Sequence, residues 1–126
     1  MKRRYYIQKH TKNPFTRITG VEVIELLGGQ GCWITKKLTH NKVPMQQYAY
    51  YIHNDMFGID YNPKIHITSI CGINNCIKKD HLQATYHPYK ADQQYIADNI
   101  KTSGLSHMAH MMKITPQLLQ QYLTAQ

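Results

Sequence analysis

Residues 70–82 read ICGINNCIKKDHL, and this stretch decides the fold because it gathers three metal-binding side chains into one short loop. Cys71, Cys76 and His81 are each separated by four residues, in the pattern C-x4-C-x4-H. Zinc prefers four thiolate or imidazole ligands in a tetrahedron, and Cys32, the remaining cysteine of the chain, is the natural fourth ligand. A Cys3His set leaves no open coordination position, so it predicts a structural zinc ion (Zn2+) rather than a catalytic one.

The spacing by itself leaves a second interpretation open. C-x4-C-x4-H is not the common C-x2-C pattern, so cysteines that happen to lie near a histidine would also explain it. Asn74 and Asn75 favour a tight turn between the two cysteines. Three cysteines in a reducing compartment argue against a disulfide framework. A closed zinc site would tie residue 32 to the loop and would stabilise a chain whose hydrophobic content, 42%, predicts a small core.

The charge of the chain points to a polyanionic partner. Fifteen Lys and Arg against seven Asp and Glu give a formal net charge of +8, a balance that suits nucleic acid. No apolar run approaches the roughly 18 residues that a membrane span needs, and no apolar signal region follows the basic N-terminus. We therefore expect a cytoplasmic protein whose partner is double-stranded DNA and which has no membrane partner.

Local patterns predict an α+β chain. The apolar stretch over residues 21–29 could be a strand or a helix, since its hydrophobic periodicity does not distinguish the two. The other elements are predicted more clearly. The expected elements are an arm or short strand over residues 1–20, the undecided stretch over 21–29, a hairpin with its turn at 39–42, a helix over 46–56 and a β-rich run over 64–70.

The C-terminal part predicts a series of helices. Tyr95, Ile96 and Ile100 have the spacing of one helical face, and Gly104 ends that helix. We expect Ser106 to cap the next helix.

A further helix is predicted at the end of the chain, with Thr115 as its N-cap and Pro116 in the favoured first position. It would bury Leu119, Tyr122 and Leu123, expose Gln117, Gln120 and Gln121, and leave Leu118 near the edge. These helices resemble a helix-turn-helix, whose second helix enters the major groove of DNA. A plain helical hairpin that packs on a core or forms a dimer is the alternative.

The region from Cys32 to Thr85 resembles a known nuclease family. Its CWI run, its basic hairpin, its YAYYI helix and its CGINNCIKKDHLQAT loop are similar to the zinc-stapled HNH or His-Cys box endonucleases of the His-Me finger class, which are common in phages and mobile introns. The resemblance implies a ββα-metal core with a structural zinc loop over residues 1–88. It implies a helix-turn-helix region over residues 89–126.

Both positions that the resemblance assigns to chemistry differ from the family pattern. The family's catalytic histidine falls at Ser69, whose hydroxyl cannot act as a general base near neutral pH. The family's metal-binding Asn or His falls at Lys90, and lysine cannot coordinate a hard cation. The fallback base is His66, which would point to the opposite face of a strand from Ser69. His87 or Asp92 could replace the metal ligand.

We therefore predict a site-specific DNA-binding protein, a transcriptional repressor of phage or mobile-element origin built on a degenerate nuclease and associated with the nucleoid. The alternative is an active HNH homing endonuclease that nicks or cuts DNA with Mg2+, and a helix-pair protein with incidental charge is a weaker third. A twofold homodimer would match a palindromic site, although no heptad marks an interface. The predicted DNA contacts are Arg3, Arg4, Lys36, Lys37, His40, Lys42, Thr115, Gln117, Gln120 and Gln121, with Lys2, Lys78 and Lys79 as further phosphate contacts.

Overall fold

The structure, a computed structural model, describes residues 8–10, 13–26 and 31–126 and has a mixed α+β architecture. It divides into two compact units, residues 1–61 with 67–83 and residues 62–66 with 84–126. The boundary expected between residues 88 and 89 differs from this division, because residues 62–66 and 84–88 group with the C-terminal helices.

A helix forms in the first unit where the sequence predicted only an arm or a strand. Strand β1 spans Gln8–His10, and helix α1 spans Pro14–Thr19. The Asn13 side chain caps α1 by accepting a hydrogen bond from the Thr16 amide at 2.8 Å. Gly20 ends the helix in the left-handed conformation, with φ at 74°. Proline at the start and glycine just past the end are ordinary helix boundaries. The predicted short strand is therefore present at β1, whereas α1 was not predicted.

A small antiparallel sheet follows α1. Strand β2 (Ile24–Leu26) pairs with β1 on one side and with β3 (Trp33–Ile34) on the other. The undecided apolar stretch is therefore a strand over its described residues, while residues 27–30 lie outside the described part of the chain. Residue Cys32 immediately precedes β3, which places its thiol at the edge of this sheet.

A hairpin forms close to the predicted position, with strands β4 (Thr39–His40) and β5 (Val43–Pro44). Its turn is shorter than the predicted 39–42, because residues 39 and 40 belong to β4. Asn41 and Lys42 join them with φ angles of 49° and 69°. Two consecutive positive φ angles are what a tight two-residue turn of type I′ requires, because its twist matches that of the strands. The turn therefore fixes the hairpin, and the chain enters a helix directly after it.

Helix α2 (Met45–His53) carries the core of the first unit. It confirms the helix predicted over residues 46–56, although it ends three residues earlier. Ala49 and Ile52 lie on its buried face, and Tyr48 packs against the cluster from the side. The buried members of this cluster are Phe15, Val21, Val23, Met45, Ala49, Ile52 and Ile77.

Two strands frame the cysteine loop. Strand β6 spans Ile65–Ser69, β7 spans Leu82–Tyr86, and the two form a two-stranded sheet. A short 3-10 helix, Lys79–His81, leads from the loop into β7. Exposure alternates along both strands, with His66, Thr68, Gln83 and Thr85 on exposed positions. This alternation is the period-two pattern of a sheet with one solvated face.

The second unit contains three helices, α3 (Lys90–Ser103), α4 (Leu105–Met112) and α5 (Pro116–Thr124). Gly104 separates the first two, with φ at 83°. The expected cap at Ser106 is wrong, because α4 starts one residue before it and the cap position is Gly104. The cap of α5 is confirmed, since the Thr115 hydroxyl accepts a hydrogen bond from the Leu118 amide at 3.1 Å.

The burial pattern of helix α5 agrees with the expectation in part. Leu119 is fully buried as expected, whereas Leu118, expected at the edge, is 3% exposed, and Tyr122 and Leu123 are only half-buried. The Tyr122 ring packs edge-on against the Tyr86 ring, with centroids 5.6 Å apart. Among the described residues, no helix combines the length and apolar character needed to cross a bilayer.

Candidate metal centre

The four predicted zinc ligands come together in the first unit. One ligand atom from each of Cys32, Cys71, Cys76 and His81 can be chosen so that all lie within 4.8 Å of one another. The His81 Nδ1 atom is 3.5 Å from the Cys32 Sγ atom and 3.4 Å from the Cys76 Sγ atom. A tetrahedral zinc ion with ordinary bond lengths separates sulfur and nitrogen ligands by about 3.6 Å. The side chains therefore fit a zinc ion in both chemistry and spacing.

Backbone hydrogen bonds bring the distant cysteine to the loop. The Leu26 amide donates to the Cys32 carbonyl at 2.8 Å, which fixes Cys32 beside β2. The Ile77 amide donates to the Trp33 carbonyl at 2.8 Å, which fixes the loop against β3. The Gln46 side-chain amide donates to the Cys76 carbonyl at 2.9 Å. The sheet, the loop and helix α2 thus each hold part of the site.

An apolar shell surrounds the thiols. Cys32 is 3% exposed and Cys76 is fully buried, and both belong to a cluster with Leu26. Ile34 and Ile73 pack against the same cluster. Cys71 and His81 are only half-buried, so one side of the site is closer to solvent. Such a shell excludes water, which suits a closed structural site.

The three thiols compete for protons. Burial and the two neighbouring cysteines raise the pKa of the Cys32 thiol to about 12. Burial also raises the pKa of Cys76. Burial raises the pKa of Cys71 as well, but the hydrogen bond from the Ile73 backbone and the contacts with the other thiols outweigh it, so the pKa is lowered. A coordinated zinc ion binds thiolates and removes this competition by supplying positive charge.

Ser69 forms a contact within the cysteine loop. Its hydroxyl donates a hydrogen bond to the Ile73 carbonyl, which lies between Cys71 and Cys76. This contact braces the turn that presents the two thiols. From the resemblance, the sequence predicted only that Ser69 occupies the position of the family's histidine. The one sequence feature that could have suggested the hydrogen bond is that Ser69 lies four residues before Ile73.

The other residues considered for catalysis lie elsewhere. Along β6, His66 is exposed and Ser69 is half-buried, so the two residues lie on opposite faces of the strand, as expected. In the second unit, the His66 and His87 ring centroids are 4.4 Å apart. The Asp92 carboxylate pairs with the Lys64 ammonium at 2.5 Å. Lys90 is the exposed first residue of α3.

Four predicted DNA contacts of the first unit, Lys36, Lys37, His40 and Lys42, lie in or near the hairpin, whereas Lys78 and Lys79 lie at the end of the cysteine loop. Lys36, Lys37 and Lys42 are exposed. The His40 ring stacks on the Tyr48 ring at 4.2 Å, which holds its orientation. Lys36, Lys37 and His40 also line a cavity of about 370 Å³. Lys2, Arg3 and Arg4, which were predicted to contact DNA, lie outside the described residues.

The predicted base-reading residues lie on α5. Gln117, Gln120 and Gln121 are exposed, in agreement with the expected orientation. The Gln120 side chain donates to the Thr124 hydroxyl at 3.1 Å. Thr115 is 5% exposed and its hydroxyl is engaged as the helix cap, so it is not part of this exposed surface.

No protein-family model matches the chain, and no curated protein or solved structure gives a significant match. Function is therefore inferred from the residues themselves.

Proposed function

We propose that the chain is a site-specific double-stranded DNA-binding protein that represses transcription. It combines a zinc-stapled, HNH-like core with a helix-turn-helix. The observation that carries the proposal is the arrangement of α4 and α5, two short helices with a three-residue connection and a glutamine-rich exposed face. The order β6, β7, α3 also fits the ββα core that the resemblance implies.

The connection between α4 and α5 has the features of a helix-turn-helix. Lys113 adopts the left-handed conformation, with φ at 61°, and turns the chain sharply after α4. Met108, Ala109 and Leu119 are fully buried, so the two helices share one apolar interior. A turn of three or four residues between two packed helices is the geometry that places the second helix in the major groove.

The exposed face of α5 suits recognition of bases. A glutamine side chain can bind adenine with two hydrogen bonds, through its amide and its carbonyl, at the N7 and N6 positions in the major groove. Gln117 and Gln121 are one helical turn apart, so their side chains lie along the same face. Helix α5 contains no Lys or Arg, and the phosphate contacts must therefore come from other elements.

The distribution of charge supports phosphate binding. Eleven of the fifteen Lys and Arg fall within the residue ranges of the first unit, against five Asp and Glu. The exposed lysines of the hairpin region, Lys36, Lys37 and Lys42, belong to this set. Neutralising several phosphates releases counterions, so the logarithm of the affinity should fall with the logarithm of the salt concentration at a slope of about −0.9 per phosphate.

The zinc ion of this proposal is structural. Cys32, Cys71, Cys76 and His81 would hold it, and it would supply a cross-link between β3 and the cysteine loop. With four protein ligands it has no position for substrate. Elemental analysis of the purified protein should find one zinc ion per chain. A Cys76→Ala protein that remains folded without metal would contradict the structural role of the zinc ion.

The hydrogen bond of Ser69 favours binding without cleavage. Its hydroxyl is committed to the Ile73 carbonyl, and a serine cannot replace histidine as a general base. Incubation with the selected duplex and Mg2+ or Mn2+ should leave the DNA intact. Site-specific cleavage would favour the endonuclease alternative instead.

The test begins with a selection of bound duplexes from a random pool, followed by titration of the selected and a scrambled duplex at several salt concentrations. Gln117→Ala and Gln121→Ala should weaken binding to the selected site more than binding to the scrambled one, by about 1–3 kcal/mol for each lost bidentate contact. The matched control is Gln94→Ala, an exposed glutamine on α3 that bonds to Asp98 of the same helix. Equal losses on both duplexes would show that α5 does not read bases, and no binding at low salt would refute the proposal.

A further inference from the structure

Two histidines that are 21 positions apart in the sequence lie close together on the solvated face of the two-stranded sheet formed by β6 and β7. His66 belongs to β6, and His87 directly follows β7. Both side chains are exposed, and their ring centroids are 4.4 Å apart with an angle of 37° between the planes. Neither residue contributes to the Cys3His cluster.

The backbone holds the two histidines in this arrangement. The His87 amide donates a hydrogen bond to the Lys64 carbonyl at 2.7 Å, so the residue after β7 remains paired with the residue before β6. His66 lies two positions after Lys64, on the same face of the strand. The separation of the two imidazoles is therefore set by the sheet and not by a flexible loop.

The spacing fits a shared metal ion. With metal–nitrogen bonds of about 2.1 Å, two imidazoles on one ion have ring centroids about 4.5 Å apart at a right angle and about 5.2 Å apart at the tetrahedral angle. The observed 4.4 Å requires a shift of less than about 1 Å to reach either arrangement. Because both side chains are exposed, their rings can rotate to direct nitrogen atoms at one point.

Thr85 supplies a contact that metal-binding histidines commonly have. Its hydroxyl oxygen lies 3.1 Å from the His87 Nε2 atom. A histidine that binds metal through one ring nitrogen usually donates a hydrogen bond from the other, which fixes the tautomer and the ring orientation. The Thr85 hydroxyl can accept that bond from Nε2 and so leaves Nδ1 of His87 for the metal.

The nearest lysine does not prevent cation binding. Lys64 directly precedes β6, but its ammonium group is paired with the Asp92 carboxylate at 2.5 Å. The same group lies 4.9 Å from the centroid of the Tyr89 ring, which further compensates its charge. The positive charge beside the histidines is thus largely neutralised.

We propose that His66 and His87 form a second metal site, which binds a borderline divalent transition-metal ion such as Ni2+, Cu2+ or Zn2+. Imidazole nitrogen is a favoured ligand for these ions. Two protein ligands leave the other coordination positions to water or to an oxygen donor, unlike the closed Cys3His set. The site is independent of DNA binding, and its test needs no DNA.

The test is a calorimetric titration of the zinc-loaded protein, prepared without a histidine tag, with Ni2+. One Ni2+ should bind per chain at this site. His66→Ala and His87→Ala should each lower the affinity at least about tenfold, because either change removes the chelate. Thr85→Val, which keeps the shape and removes the hydroxyl, should lower it by a smaller factor.

The control is His107→Ala, an exposed histidine on α4 that should leave the affinity unchanged. Paramagnetic broadening of amide resonances by Ni2+ gives a second measurement, and it should begin at residues 65–67 and 86–88. The proposal is overturned if no Ni2+ binds, if His66→Ala and His87→Ala bind it as tightly as the wild type, or if the broadening centres on α4.

Discussion

Removal of the zinc ion that we propose for the Cys3His cluster should destabilise the first unit by at least about 4 kcal/mol. With metal bound, Cys32 is joined to Cys71, and the intervening segment is closed into a loop of about 40 residues. The chain-entropy treatment of a cross-link of this length gives about 4 kcal/mol at room temperature. This counts only the restriction of the unfolded chain and is therefore a lower bound. It is a large share of the 5–15 kcal/mol that stabilises a typical domain.

The Cys71→Ser protein is the matched control. Cys71 is half-buried, whereas Cys32 and Cys76 are almost fully buried, so serine at position 71 disturbs the packing least. In the presence of a strong chelator, the wild type and Cys71→Ser should have the same free energy of unfolding to within about 0.5 kcal/mol. In zinc, the wild type should be the more stable of the two.

Trp33 provides the assay. It is the single tryptophan of the chain, and it packs against the core cluster of the first unit. Its fluorescence during urea unfolding therefore reports on that unit. Far-UV circular dichroism reports in addition on α3, α4 and α5, whose unit contains none of the four ligands. A Trp33 transition that moves by less than about 1 kcal/mol, after elemental analysis has verified the loss of zinc, would refute this reasoning.

Three further predictions concern single side chains. Thr115→Ala removes the cap that the Leu118 amide uses and should cost about 1 kcal/mol, measured by urea unfolding followed by circular dichroism; an unchanged midpoint would contradict the role of the cap. Tyr51→Phe removes a buried hydroxyl that donates to the Gln47 side chain at 3.0 Å and should cost about 1–2 kcal/mol by the same measurement. Burial lowers the pKa of His53 from its ordinary 6.5, so its neutral form stabilises the fold above about pH 6.5 and this contribution is lost as the pH falls through the folded pKa. His53→Gln should therefore reduce the loss of stability between pH 7 and pH 5 relative to the wild type, and equal pH profiles would show that His53 does not titrate in this way.

The clustering of the four candidate ligands was predictable in part, because their chemistry depends on residue type and number. The spacing alone left chance proximity open, and the resemblance to zinc-stapled endonucleases strengthened Cys32 as the fourth ligand; the structure brings all four side chains together. The contact of Ser69 with Ile73 and the meeting of His66 with His87 were not predictable in the same way. Each depends on the register of a short strand, and a shift of one residue would reverse the face of every side chain.

The errors in the fold share a physical cause. The segment predicted as an arm or short strand contains Pro14 and Gly20, which lie at the two ends of a short helix and favour it there. Ser106 has the chemistry of a cap, yet Gly104 already ends α3 with a positive φ angle of 83°, and α4 begins at once. Helical spacing predicted Leu118 at an edge, whereas it is buried and the half-buried Tyr122 packs on Tyr86. Local patterns located helices α2 to α5 but not α1, and they did not define every helix start or buried position.

The separation of Cys32 from its three partners implies an order of assembly. Cys71, Cys76 and His81 lie within eleven residues, so a nascent loop can capture an ion with little loss of chain entropy. Cys32 must arrive from about forty residues away, and such non-local contacts form later and more slowly. The ion would thus first be held by a three-ligand loop that is still exposed to solvent. Docking of β3 would then complete its shell, so the supply of zinc during synthesis would govern how quickly the first unit matures.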